Sequence, residues 1–284
     1  TYSAMLKWLG ICVFAYVGIV FFVEIPWAEV ARNTLLPHIS FSEDYLTMLT
    51  AVMGTTISPY LFVWQSSLEV EEQRADPDEQ PVRTAPSQAR SQFLKIRFDT
   101  YSGMGVSCAV MFFIILTTAL TLHTHHITQI DSAEQAAKAL EPIAGRFAFV
   151  LFAIGMIGTG LLAVPTLAGS IGYAMGEAFK WRTGLDHKPY RARRFYAVIA
   201  AATVIGTALN FIGVDPIKAL IWSAVINGLI SAPLLCALML IARNHAVMGK
   251  FVIPNKLFIA GWLTTGLMTA AAILTVVHLL ASST

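Results

Sequence analysis

The sequence predicts an all-α, polytopic membrane protein, and three observations carry that prediction. Of 284 residues, 56% are hydrophobic and only 13% are charged, against roughly 25% charged in a soluble domain, and the mean hydropathy is +0.65. Apolar runs of the length needed to cross a bilayer, about 20 residues, recur along the whole chain. Lysine and arginine gather in alternate connections between those runs, as the positive-inside rule requires.

Seven spans follow in order, at 6–30, 45–68, 100–122, 145–175, 195–213, 217–242 and 257–281, forming one membrane domain over 1–284. The first ends in "FFVEIPWAE", where Glu24 has two readings: a buried proton relay or, with Glu29 and Trp27, a marker of the water interface. The connection after span two, 69–99, is rich in Pro, Gln and charge ("EEQRADPDEQPVRTAPSQARSQ") and reads as a flexible loop. Asp99, just before span three, is placed either to cap a helix there or to pair with a basic neighbour. "HTHH" at 123–126 reads as a metal-binding cluster or as a solvated rim. "DSAEQAAKALEPIAG" suggests a short amphipathic helix ahead of span four.

Arg74, Arg83, Arg90, Lys95 and Arg97 follow span two. Lys180, Arg182, Lys188, Arg191, Arg193 and Arg194 follow span four, and Arg243, Lys250 and Lys256 follow span six. The rule puts these loops in the cytoplasm of an inner membrane, with residue 1 inside and residue 284 outside. Cys12, Cys108 and Cys236 lie far apart in apolar stretches and form no disulfide framework. The chain opens on Thr1 and enters an apolar run at once, so a fragment lacking upstream sequence is expected.

Span two departs from a plain lipid-crossing pattern. It contains "GTTISPYLFVWQSSLEVEEQ", Gly54 to Gln73. Pro59 removes a backbone donor and its ring clashes with the preceding turn. Gly54 adds backbone freedom, and Thr55, Thr56 and Ser58 are able to satisfy freed backbone groups. Broken backbone at membrane depth is tolerated only inside protein or along a cavity, and transporters bind ions at such breaks. The plainer reading is an ordinary proline kink. Glu69, Glu71 and Glu72 follow, as a solvated face or as a lure for cations.

This stretch resembles the sixth helix of the Nramp family of proton-coupled divalent metal transporters, whose usual pattern is Gly-Ala-Thr-Val-Met-Pro-His-Asn. Gly54, Thr56, Ile57 and Pro59 match or nearly match it. Ser58 stands at the family's metal-binding Met, Tyr60 at its His and Leu61 at its Asn, while Gln65-Ser66-Ser67 resembles the following His-Ser-Ser. "GTGLLAVPTLAGSIGYAMGE" (158–177) resembles the eighth helix of a bacterial Nramp-related branch, and "VINGLISAPLL" (225–235) its tenth. The resemblance covers essentially the whole chain, from the family's fifth helix to its eleventh. It implies part of a LeuT-type inverted-repeat fold and alternating-access, proton-linked symport of a divalent metal ion such as manganese, iron or magnesium.

The resemblance also implies roles. Thr55 aligns with a metal-binding backbone carbonyl, Ser58 with a ligand acting directly or through water, and Asn227 with the tenth-helix Gln. Tyr60 and Gln65 fall on the permeation path. Each keeps a plainer alternative: Tyr60 as a packing aromatic, Asn227 as a helix–helix hydrogen bonder. A Met thioether favours softer transition metals, so Ser58 in its place makes Mg²⁺ a candidate beside Mn²⁺ and Fe²⁺. The family's Asp-Pro-Gly-Asn helix is absent from these residues, so the remaining ligands are expected from missing N-terminal helices of the same protein. No cofactor beyond the transported ion and no nucleic-acid partner is expected; the bilayer is the partner.

Other classes fit less well. A retinal protein needs a Lys within its last span, and Lys256 lies only at its border. No HExxH, paired intramembrane carboxylates or Ser-His-Asp set marks an enzyme. An amino-acid or other small-solute carrier of the same fold is the alternative within transporters.

Overall fold

The computed structural model describes residues 17, 25–36, 39–82, 84–120 and 132–282. They are built from helices: α1 (Trp27–Leu35), α2 (Glu43–Thr56), α3 (Pro59–Ala75), α4 (Ala89–Thr118), α5 (Ala133–Ala178), α6 (Arg193–Leu209), α7 (Pro216–Arg243), the single turn α8 (His245–Met248) and α9 (Asn255–Ser282). Five helical segments among the described residues are long and apolar enough to cross a membrane: Glu43–Ala75, Pro86–Thr118, Phe152–Ala178, Pro216–Arg243 and Asn255–Ala281. Expected span five forms α6, at 17 residues. Most of expected span one, Glu24 included, lies outside the described residues, as do "HTHH" and Cys12.

The helices run past the apolar runs that announced them, because hydropathy marks where lipid is tolerated and not where a backbone ladder stops. α3 continues to Ala75 and α4 begins at Ala89 after a 3₁₀ turn at Pro86–Gln88, so the expected loop over 69–99 shrinks to the stretch between Ala75 and Pro86. Asp99 therefore lies inside α4 and caps nothing. The stretch expected to be a separate amphipathic helix forms the first turns of α5, whose N-cap Ser132 accepts a hydrogen bond from the Gln135 amide at 3.2 Å.

The chain divides into two compact units. One comprises 1–38 and 85–217. Within it α5 and α6 pack as a helical hairpin. Phe195 is fully buried and its ring centroid lies 5.0 Å from that of Tyr173. Gly172 lets this happen: a methyl group there would sit 2.9 Å from the Phe195 ring. The connection is tied back by Tyr196, whose hydroxyl donates to the His187 carbonyl at 2.9 Å.

The other unit comprises 39–84 and 218–284. Here α2, α7 and α9 meet. Ala232, Leu235, Met268 and Ala272 form a buried cluster, joined by the partly buried Met53 and Ile57. A second cluster holds Ala51, Ala224 and Val225. Between α2 and α9, Thr50 Oγ1 and Thr275 Oγ1 share a hydrogen bond at 2.7 Å, and Thr275 also donates to the Leu46 carbonyl at 3.2 Å. Both threonines are at most 1% exposed. Buried hydroxyls have to find partners, and these find each other across 225 residues of sequence.

Candidate functional site: the break between α2 and α3

Span two is not one helix. α2 ends at Thr56, Ile57 and Ser58 leave helical geometry, and α3 begins with Pro59 at its first position. The local chemistry accounts for this. In a continuous helix the amide of residue 59 would donate to the Thr55 carbonyl. Proline has no such amide and its ring presses on that carbonyl. At the first position of a new helix the missing donor costs nothing, because that amide has no intrahelical partner anyway.

Ser58 supplies what the break removes. Its Oγ donates toward the Gly54 and Thr55 carbonyls, each at 2.9 Å. These are the two acceptors that the amides of residues 58 and 59 would otherwise have served. The single hydroxyl proton is shared between them, and Ser58 is only 1% exposed. The carbonyl of Ile57, two residues after Thr55, is served from α7: Ser231 Oγ donates to it at 2.5 Å and to the Asn227 carbonyl at 2.7 Å.

The break can sit against α7 because both helices present glycine at their crossing. A methyl group on Gly54 would collide with the Ala224 carbonyl oxygen and the Gly228 amide nitrogen; one on Gly228 would strike the Thr50 carbonyl. Gly54 is thus helical, at the last full turn of α2, and serves close approach rather than the flexibility first read into it.

Of the residues singled out from sequence, the structure brings three together. Thr55 offers its carbonyl at the end of α2, Ser58 caps it, and Asn227 is linked to the break through Ser231. Asn227 is half-buried, in register with Ala224 and Ser231 on the face of α7 that meets α2. Tyr60, in the first turn of α3, is half-buried. Gln65 is exposed and lies five residues on, about 140° around the helix from Tyr60. Sequence reasoning missed Ser231, although it stands four residues after Asn227 in a stretch already noted. An i, i+4 pair of small polar residues in an apolar span was the available signal.

The oxygens gathered at the break are backbone carbonyls, that of Asn227 among them, and the Ser58 and Ser231 hydroxyls. Among the described residues no three His, Cys, Asp or Glu side chains form a metal cluster. A family model described as natural resistance-associated macrophage protein-like, Nramp, matches residues 1–278.

The chain belongs to the Nramp family.

It is accordingly a multi-pass membrane protein. Three relatives agree in name. The chain is 27% identical over 240 residues to a divalent metal cation transporter, MntH, of Caldanaerobacter subterraneus, covering 84% of this chain and 52% of that protein. It is 25% identical to MntH of Acidiphilium cryptum, covering 89% and 54%, and 24% identical to MntH of Klebsiella pneumoniae, covering 90% and 56%. Those are names of transporters and not of enzymes. This chain spans about half the length of the curated Nramp relatives it matches.

Proposed function

We propose that the full-length protein is a secondary transporter of divalent metal cations, working by alternating access with its ion site at the break between α2 and α3. The observation that supports this most is the set of helix-end carbonyls at Gly54, Thr55 and Ile57, held by two side-chain hydroxyls, Ser58 and Ser231, rather than by a continued helix. Hydroxyl caps are exchangeable. A cation that reaches the Thr55 carbonyl takes over the acceptor, and Ser58 turns an oxygen lone pair toward the ion in place of its proton. Oxygen donors suit hard cations, and Mg²⁺ retains several of its waters when bound. Asn227 contributes an amide oxygen, Tyr60 lines the path, and further ligands come from helices of the full-length protein outside these residues. The charge of the connections supports an orientation in an inner membrane with 69–99 facing the cytoplasm, residue 1 inside and residue 284 outside. Uptake is linked to protons.

The test is uptake by the full-length protein in proteoliposomes, with Mn²⁺, Mg²⁺ and a panel of amino acids offered in turn. Saturable uptake of a divalent cation, faster with the outside acidified, is expected. Uptake of an amino acid with no response to metal would overturn the reading in favour of a small-solute carrier.

A further inference from the structure

The turn between α5 and α6 forms a cavity of about 320 Å³ whose wall carries Lys180, Arg182, Arg191, Arg193 and Arg194, and no acidic side chain. All five cations are exposed. The positive-inside rule explains why basic residues occur in this connection; it does not explain why they converge on one hollow, where like charges repel.

Two of the guanidiniums are held in place by rings. Arg194 Cζ lies 5.4 Å from the centroid of Trp181, and Arg191 Cζ lies 5.8 Å from that of Tyr190. Trp181 is itself stacked on Phe179, with centroids 5.1 Å apart. The backbone is fixed as well: Lys180 adopts φ +55° and the Trp181 amide donates to the Gly176 carbonyl at 2.7 Å. Ala192, 3% exposed, closes the floor and precedes α6, whose first turn has no side-chain cap. That uncapped turn adds positive potential to a cavity that the side chains already define.

The level of the cavity selects the anion. The segment of α5 that is long and apolar enough to cross a membrane, Phe152–Ala178, ends immediately before Phe179. Phe179 and Tyr190 are 57% and 58% exposed. Aromatic side chains beside cations at the end of a crossing helix mark headgroup depth, and basic pockets at that depth bind phospholipid headgroups. We infer that this cavity binds the phosphodiester headgroup of an anionic phospholipid, with Arg191 and Arg194 as principal phosphate ligands and Phe179 and Tyr190 against its acyl–glycerol edge. The site is independent of the ion site and of the transport reading.

The experiment titrates the full-length protein in detergent with phosphatidylglycerol, with phosphatidylcholine and with inorganic phosphate, reading bound lipid by native mass spectrometry. Wild type should prefer phosphatidylglycerol to phosphatidylcholine, and millimolar inorganic phosphate should not displace it. R191Q/R194Q should weaken phosphatidylglycerol binding by roughly 30-fold, from about 1 kcal/mol per cation near a membrane surface. R191K/R194K should retain most of it, and K250Q/K256Q, which removes two exposed cations that do not line the cavity, should leave it unchanged. If R191Q/R194Q does not yield folded protein, K180Q and R193Q carry the test with the same expected direction. Equal lipid binding by wild type and the cavity variants would overturn the inference. So would an equal loss in K250Q/K256Q, or ready displacement by inorganic phosphate, which would make the ligand a soluble anion.

Discussion

Ser231 Oγ donates to the Ile57 carbonyl across 174 residues of sequence, and so joins α7 to the first residue past the end of α2. The same hydroxyl also serves the Asn227 carbonyl one turn earlier in its own helix. The break is therefore held by two hydroxyls of different origin: Ser58 from within it and Ser231 from outside.

Removing the outside hydroxyl should loosen the break. Ser231→Ala leaves the Ile57 carbonyl without its α7 donor and is expected to cost about 1–2 kcal/mol. Ser58→Ala should cost a similar amount by stripping the cap from the Gly54 and Thr55 carbonyls. The two hydroxyls serve neighbouring carbonyls, so the double variant should depart from additivity by about 0.5 kcal/mol or more. Thermal unfolding of the purified full-length protein, run as a double-mutant cycle, checks this. Strict additivity would mean that the two hydroxyls act on independent elements.

The glycine crossing makes a second prediction. Gly228→Ala pushes a methyl group into the Thr50 backbone and should destabilise the protein by about 1–3 kcal/mol. Gly54→Ala should behave likewise against Ala224 and Gly228. Gly266→Ala is the comparison: it also lies within a helix, α9, with nothing within 4 Å of the added carbon. It should be neutral or raise stability by up to about 1 kcal/mol through helix propensity alone. Melting temperatures of the three variants decide the matter, and equal effects at all three positions would contradict the crossing.

What was legible in the sequence was local chemistry. Pro59 four residues after Thr55 dictates a break wherever it sits in a helix, and the break lies where that rule puts it. Five of the seven expected apolar runs return in the expected order, among the described residues, as helices long enough to cross a membrane. The partners of Ser58 were within reach of local reasoning, being its own i−3 and i−4 carbonyls. The contacts of Ser231, and the pairing of Thr50 with Thr275, were not, because hundreds of residues separate the partners and nothing in either segment names the other. Gly54 was read as a source of flexibility because a single strand of sequence cannot display the helix that crosses it. The limits of α3, α4 and α5 were misplaced because polar helical turns beyond the lipid carry no hydropathy signal.

The Thr50–Thr275 pair should show the asymmetry of buried polar groups. Thr50→Val leaves the Thr275 hydroxyl with one partner fewer and is expected to cost about 1–2 kcal/mol. Adding Thr275→Val removes the second polar group too, and the double variant should lose less than the sum of the singles. Denaturant or thermal unfolding of the four proteins provides the readout. A double variant at or beyond the sum would show that the hydroxyls do not bond to one another.

The charge pattern predicts that the turn before α4 faces the cytoplasm. Ser87 is exposed there, within the 3₁₀ turn. In a cysteine-free background of the full-length protein, Cys12, Cys108 and Cys236 replaced among the rest, Ser87→Cys should resist an impermeant thiol reagent in intact cells and react once the membrane is opened. Labelling in intact cells would reverse the orientation of every span.

The central claim is that the oxygen-lined break is where a divalent cation binds and that Ser58 faces it. Its most direct test is metal uptake by the full-length protein in proteoliposomes, comparing wild type, Ser58→Ala and Ser58→Met across Mg²⁺, Mn²⁺ and Cd²⁺. Ser58→Ala removes the cap without offering sulfur, so uptake should fall for all three ions with little change in preference. Ser58→Met presents a soft thioether, so Cd²⁺ should gain by several-fold relative to Mg²⁺. A Ser58→Met protein that folds and transports with the wild-type metal profile would mean that Ser58 does not face the ion, and would contradict placing the site at the break.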